Sequence, residues 1–347
     1  MIARSWSIIV NYRTSSLVID TLASLAKELL PSRDKTDSEK NPGNSIATDI
    51  HNRSANEGSM LESHGVLVVD NNSGDGSASK IQQAIIANNW QNWAEVLPLK
   101  TNGGFAAGNN AGIKYLWEHD QHIQYFHLLN PDTLVQAEAV QELRKFLDAN
   151  PRVGIAGSQL LNADGTHQTS AFRFHNIVSQ FDYGLRIGII SRLLKGGLIS
   201  FPAVSQPMQS DWVSGASMMI RREVFEKIGF MDEKFFLYFE ETDFCRRARN
   251  HGFLCYHIPA SKIIHLEGQS TGIAEERQNK KRMPKYWFES RRRYFRKNYG
   301  WFNTWLINIA FAFPFALWRF RRWVLRKPDP DPPYFLWDFI RYSFGKG

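Results

Sequence analysis

Cysteine is nearly absent: 347 residues hold two, Cys245 and Cys255. Two thiols cannot build a disulfide framework or a structural zinc site, and they suit a reducing compartment. A long hydrophobic run is also missing. The longest candidate, WLINIAFAFPFALW at 305–318, falls short of the roughly 20 residues a bilayer span needs, and Pro314 interrupts it. A single spanning helix is therefore not expected. The secretory layout is missing too, because Met1 leads almost directly into the strand-like run SWSIIVNY. A cytoplasmic location is the expectation. There is no dinucleotide fingerprint: the glycines of TNGGFAAGNNAG do not fit G-x-G-x-x-G, and the loop follows the third expected strand, not the first. A nucleotidyltransferase would carry a basic glycine-rich loop right after the first strand, and VNYRTSS lacks it.

What is present is positive charge and aromatic rings. The formal net charge is +8, concentrated at 277–299 and again at 319–327. A basic balance suits an anionic partner: a nucleic acid, an acidic membrane surface or a phosphorylated substrate. PKYWFESRRRYFRKNYGWFNTW interleaves Lys and Arg with Tyr, Trp and Phe, which suits an anionic membrane surface. Single-stranded nucleic-acid binders use the same interleaving, but nothing upstream supports that reading, so no nucleic-acid partner is expected. A solvated helix packed on the rest of the protein is the plainer alternative.

Over residues 5–161, buried strand-like runs alternate with helical periodicity, the pattern of a parallel sheet covered on both faces. Residues 31–63 break it. They are polar and rich in turn formers, and read as a flexible insertion. From 162 onward the alternation fades into loops and short helices. DWVSGASMMIRREVFEKIG then gives a strand, a turn and a helix, FEETDFCRRARNHG a helix ending near Gly252, and FLCYHIPASKIIHLEGQS one or two short strands. In such sheets ligands bind outside the carboxyl ends of the strands. Three polar signals fall there: Asn11–Tyr12, Asp70–Asn71–Asn72 and Asn130–Pro131–Asp132.

Each motif has two readings. VVDNNSGDGS offers an acid that can accept from a base or ribose, or simply a turn. TNGGFAAGNN lets the backbone approach an anionic ligand at a helix start, or makes a tight connection. Asp132, stiffened by Pro131, could give a divalent cation a hard oxygen. FEETDF could place acids at a helix N-terminus for the dipole alone, or hold one beside aromatic rings as a general base with a raised pKa. His265 in IIHLEG is a ligand candidate only if the fold sets it beside Asp132. WVSGASMMIRR could wall an acceptor pocket or be packing.

The order of these motifs, from VNY through VVDNNSGDGS, TNGGFAAGNN, LLNPDT, WVSGASMMIRR and YFEETDFCRRARNHGF to IIHLEG, resembles the family 2 glycosyltransferases of the GT-A fold, in the rhamnosyltransferase-like branch that builds bacterial surface polysaccharides. The resemblance covers roughly residues 5–275. It implies an α/β fold with a Rossmann-like, mostly parallel central sheet flanked by helices. It also implies a catalytic domain at 1–275 and a helical, membrane-associating extension at 276–347. The implied reaction is an inverting transfer of rhamnose or a similar sugar from a dTDP- or UDP-sugar to a hydroxyl of a lipid-linked or polysaccharide acceptor. The implied place is the inner face of the cell membrane, where the protein is peripheral. By position, Glu241 takes the place of the catalytic base, and Asp243 helps to position it or the acceptor. Asn11, Asp70, Asn71, Asn102, Gly103, Gly104, Asn109 and Asp132 belong to the donor site. Trp212, Ser214 and Gly215 face the acceptor. Asp132 and His265 hold Mg²⁺ or Mn²⁺. Asn130 stands where the family's D-x-D motif has its first acid, so the cation has less protein charge and needs diphosphate oxygens. A nucleotidyltransferase and a non-catalytic carbohydrate-binding protein are the alternatives.

Overall fold

The alternating first half folds as its periodicity predicts. In order it forms β1 (Arg4–Asn11), α1 (Ser15–Leu29), β2 (His64–Asp70), α2 (Ser77–Ala87), β3 (Ala94–Pro98), α3 (Gly104–His119), β4 (Ile123–Leu129), β5 (Thr133–Val135), α4 (Ala139–Ala149) and β6 (Val153–Leu161). Less regular elements follow: β7 (His167–Gln168), β8 (Ala171–Phe172), α5 (Ile177–Leu185), α6 (Gly188–Leu193), β9 (Met208–Ser210) and β10 (Trp212–Val213). The chain ends with β11 (Ser217–Arg221), α7 (Arg222–Ile228), α8 (Glu240–Asn250), β12 (Leu254–His265), α9 (Lys285–Val324) and α10 (Phe335–Phe344). This computed structural model describes residues 4–29, 64–194, 198–266 and 281–345. The insertion expected at 31–63 and the boundary expected at 275/276 lie outside the described residues.

The main sheet runs β3-β2-β1-β4-β11-β6-β12-β5. Its first four strands are parallel, β11 enters antiparallel between β4 and β6, and β12 runs parallel to β6. Strand residues alternate between two cores. Ile9, Val66 and Val68 pack under α1, α2 and α4, whereas Ile8, Leu67 and Val69 pack under α3, α7 and α8. That two-sided burial is why β1 and β2 read as continuous apolar runs. A buried polar seam crosses the sheet from His64 through Ser7, His127, Ser217 and Ser158 to Ser261. Burial pushes the pKa of His64 and of His127 down to about 3, so both stay neutral members of it. A one-residue slip of any strand would break the seam and strand its polar groups in the core.

Two features set up the site. The order of strand addition reverses at β1, with β2 on one side and β4 on the other. Asn11 is the register partner of Asp70, and Ile9 of Leu129, so the strand-end motifs share one level. The segment expected as one or two short strands is a single 12-residue strand, β12, whose register shifts between Ile258 and Lys262. Beyond the shift it stays paired with β6 through Ile264 and takes β5 on its other edge, placing His265 opposite Thr133.

The C-terminal basic segment differs from expectation. Helix α9 breaks at Gly300 (φ 77°, ψ 173°), while Pro314 is accommodated inside the helix without ending it. Before the break, many cations face the protein. Arg291 is buried, donates to Asn308 Oδ1 (2.6 Å) and Gln180 Oε1 (2.8 Å), and lies on the rings of Phe295 and Phe339. Burial lowers its pKa to about 9. Arg293 and Lys297 pair with Asp232, and Lys297 also with Asp243. The interleaved rings Phe288, Tyr294 and Phe295 are core residues. Much of this segment therefore welds the extension to the sheet domain.

Candidate active site

The crevice begins at the ends of β1 and β2. Asp70 Oδ1 accepts from Asn11 Nδ2 (2.6 Å) and Ser73 Oγ (2.6 Å), and Oδ2 accepts from the Ser73 amide (3.2 Å). Asn11 is completely buried, and its Oδ1 accepts from the Thr14 amide and hydroxyl. Both ends of its amide are thus engaged, and Asn11 braces the turn that aims Asp70.

Asn71 ties that turn to the glycine loop. Its Nδ2 donates to Asn102 Oδ1 and to the Gly104 carbonyl, both at 3.0 Å. The Gly103 amide closes on Asn71 Oδ1 at 3.4 Å. Gly104 has φ +85°, and a Cβ there would fall 2.0 Å from the Phe236 carbonyl oxygen, which accepts the Phe105 amide at 2.8 Å. Glycine is required by both conformation and space. The close approach clamps the glycine loop to the segment leading into α8. Asn109, expected in the same pocket wall, is fully buried on α3. It donates to the Phe105 carbonyl (2.9 Å), while its Oδ1 has no partner. It stands behind the wall.

Asp132 and His265 meet as the sequence condition required. His265 Nε2 is 3.4 Å from Asp132 Oδ1, and the Asp132 side chain is fully enclosed. Asn130 Nδ2 lies 3.4 Å from the same imidazole nitrogen. On the far side of the ring, His265 Nδ1 faces Gln168 Oε1 at 2.9 Å. A proton on Nδ1, donated to Gln168, leaves the Nε2 lone pair directed at Asp132, the arrangement by which outer partners orient a metal-binding histidine. The donor set fits a divalent cation that also takes oxygens from substrate or water. Among the described residues no group of three or more His, Cys, Asp or Glu side chains assembles to hold a metal unaided. Gln168 escaped the sequence reading. Its signal was the ADGT turn after β6, which folds β7 back so that Gln168 pairs with Leu160.

The acid helix α8 completes the crevice. It starts after two aromatic residues with positive φ, Tyr238 (71°) and Phe239 (69°), a costly conformation concentrated at functional sites. Glu240 is buried. Glu241 is half-buried, with one carboxylate oxygen enclosed and without a hydrogen-bond partner. Burial pushes the Glu241 pKa up to about 7, and burial followed by the charge of Glu241 holds Glu240 well above the usual carboxylate range. A Cβ on Gly215 would lie 3.4 Å from the Phe105 ring and 3.8 Å from the Glu241 Cβ, so these three adjoin. The next residue, Ala216, accepts the Asn130 amide at 3.0 Å. The small-residue turn therefore joins the Asn130–Asp132 motif to Glu241.

Asp243 does not share the Glu241 position. Its fully enclosed carboxylate meets Arg247 (3.1 Å), Lys297 (2.7 Å) and Asn298 (3.2 Å). It fixes the helix that carries Glu241 by docking it on α9. Trp212 stacks on Phe172 with ring centroids 4.1 Å apart and donates to the Arg173 carbonyl (3.0 Å). Ser214 Oγ accepts the Ala216 amide at 3.3 Å, which shapes the turn.

The family model for glycosyl transferase family group 2 matches residues 125–339, more than half of the chain. The chain belongs to that family. Among curated relatives, the dTDP-rhamnosyl transferase RfbF of Shigella flexneri is 29% identical over 174 residues, covering 50% of this chain and 52% of its own. The N-acetylglucosaminyl-diphospho-decaprenol L-rhamnosyltransferase of Mycobacterium tuberculosis is 24% identical over 222 residues, covering 60% of this chain and 68% of its own. The chain thus spans only about half of the first of these family members and two thirds of the second. Among solved structures, the mannosyltransferase PcManGT of Pyrobaculum calidifontis, in complex with GDP-Man and Mn²⁺, aligns with a TM-score of 0.53 at 14% identity, over 99% of this chain and 86% of that one. At that identity the likeness establishes the fold, a GT-A-like α/β architecture.

Proposed function

We propose that this chain is an inverting glycosyltransferase that moves a sugar from a nucleoside-diphosphate donor to an acceptor hydroxyl in surface-glycan synthesis. The observation that carries the reading is the Glu241 carboxyl: its pKa is raised to about 7, one oxygen is unpartnered, and it adjoins the turn that meets the Asp132 motif. Rhamnose from dTDP-rhamnose is the donor favoured by the relatives, whose names specify rhamnosyl transfer. A lipid-linked diphospho-sugar is the acceptor class favoured by the mycobacterial relative's name.

In this mechanism Asp70, with Asn71 and the Asn102–Gly104 loop, holds the nucleotide. Asp132 and His265 would hold Mg²⁺ or Mn²⁺, which supplies positive charge where the diphosphate leaves. Glu241 takes the acceptor proton as the acceptor oxygen attacks the anomeric carbon opposite the leaving group. The new C–O bond forms as the sugar–phosphate bond breaks, so configuration inverts without a covalent sugar–enzyme intermediate. A base with pKa near the working pH suits this task. Residues 1–275 act as the catalytic unit, and 276–347 dock it peripherally at the cytoplasmic membrane face.

A donor screen reading nucleotide release, with and without Mg²⁺ or Mn²⁺ and with a lipid-linked acceptor pool, tests the reading. Release that depends on acceptor, on one sugar nucleotide and on Glu241 supports transfer. Binding of sugar nucleotide without release, unchanged in Glu241→Gln, supports a carbohydrate-binding protein instead.

A further inference from the structure

Beyond Gly300, helix α9 is apolar on both sides. Its inner side packs Thr304, Ile307, Phe311 and Phe315 into the protein. Its outer side exposes Phe302, Trp305, Ile309, Phe313, Leu317 and Phe320, spaced three or four residues apart, as one stripe about 27 Å long. A helix that is hydrophobic all round belongs in a core or in lipid. Here one side has its core and the other has none.

A second exposed apolar set comes from a distant stretch of chain. Helices α5 and α6 turn Ile177, Phe181, Ile189 and Leu193 outward, with Ile189 72% and Leu193 81% exposed. Helix α5 is built onto α9, and α6 is tied to α5 by Ser191 Oγ, which donates to Asp182 Oδ1 (2.6 Å). A Cβ on Gly184 would fall 2.5 Å from the Phe311 carbonyl oxygen, so glycine permits backbone contact. Tyr183 stacks on Phe311 at 5.7 Å, and Arg186 bridges Asp331 while lying on the Trp318 ring. The two sets belong to one packed unit, and exposed apolar area of this kind marks an interaction surface.

The charge around it selects the partner. Arg321, Arg326 and Lys327, at the far end of the stripe, are exposed and form no ion pair among the described residues. Trp301, Trp323 and Trp337 stand exposed around the same unit, and tryptophan settles at the headgroup level of a bilayer. Apolar area, interfacial tryptophan and unpaired cations together complement a lipid surface with anionic headgroups.

We propose that α5–α6 is a second membrane-contacting element, and that with the outer stripe of α9 it forms the seat by which this protein lies on an anionic bilayer. The inward-facing basic residues before Gly300 are not the seat. The proposal deepens the membrane-acceptor reading above and rests on it only for its purpose, because membrane binding is measured without turnover.

The test is flotation of the full chain with vesicles of phosphatidylglycerol and phosphatidylethanolamine, and with phosphatidylcholine vesicles. The variants are Ile189→Glu/Leu193→Glu and Phe313→Glu/Leu317→Glu. Circular dichroism and nucleoside-diphosphate binding report whether the fold persists. The wild type is expected to float with anionic vesicles and less with neutral ones, and each double variant to lose at least tenfold in partitioning with its fold and nucleotide binding kept. Undiminished flotation of Ile189→Glu/Leu193→Glu overturns the role of α5–α6. A lipid-free dimer by light scattering that this variant splits, with no vesicle binding by the wild type, assigns the face to a second copy of the chain and overturns the proposal. Vesicle binding that behaves as expected in a protein without transferase activity would leave the seat standing and remove the transferase reading alone.

Discussion

Replacing Glu241 by Gln separates a catalytic carboxylate from a structural one, because the same burial governs both rate and stability. The carboxyl titrates near 4.5 when unfolded and near 7 in the folded protein. Its folded pKa is raised, so the protonated form fits the folded state without penalty below pH 4.5. The penalty for ionising then accumulates as pH climbs to about 7 and levels off above it. At about 1.36 kcal/mol per pH unit, the plateau is of order 3 kcal/mol. The glutamine variant is neutral throughout. It should match the wild type in stability near pH 4.5 and exceed it by up to about 3 kcal/mol at pH 8, as read by urea unfolding across that range. Turnover should move the opposite way. Loss of a general base costs about 10²- to 10⁴-fold, and the wild-type rise of kcat/KM through pH 7 should vanish in the variant. A stability difference that does not vary with pH, or a variant keeping a third or more of wild-type turnover, would refute the reasoning.

Other predictions follow from the same geometry. Gly104→Ala sets a Cβ against the Phe236 carbonyl oxygen and requires a left-handed alanine; it should weaken nucleoside-diphosphate binding at least tenfold by calorimetry and lower the melting temperature. Asp243→Ala leaves Lys297 and Arg247 without their enclosed partner and should destabilise by about 3–5 kcal/mol in chemical denaturation, with faster hydrogen exchange in residues 285–299. Gln168→Leu removes the acceptor from His265 Nδ1; it should weaken Mn²⁺ binding about 10- to 100-fold, measured by electron paramagnetic resonance in the presence of nucleoside diphosphate.

Much of this architecture was legible in the chain, for identifiable reasons. Residues 5–161 alternate cleanly because their strands are buried on both faces. The residues alone left the joining of Asp132 to His265 a condition on the fold, and only the family resemblance paired them. The place of β11 was hidden: SMMIR reads as a strand, but nothing in five residues says that it runs antiparallel between β4 and β6. Gln168 sits on a two-residue strand, too short for any periodicity. The largest misreading was electrostatic. Arg291, Arg293 and Lys297 resemble a headgroup-binding run, yet their partners Gln180, Asp232 and Asp243 lie 111, 61 and 54 residues away. Asn11 and Asp243 hold neighbours through their side chains, and for Asp243, which docks the helix of Glu241, this agrees with the positioning role expected of it. A motif marks residues a site depends on, and it does not separate those touching the ligand from those aiming its neighbours.

The central claim is that Asp132, His265 and Glu241 serve one crevice. A crystal structure with Mn²⁺ and a nucleoside-diphosphate sugar tests it most directly. The account predicts manganese bound by Asp132 and His265 Nε2 together with diphosphate oxygens, and the anomeric carbon on the side facing Glu241. Manganese and diphosphate bound away from Asp132, or a sugar turned away from Glu241 towards bulk solvent, would contradict it.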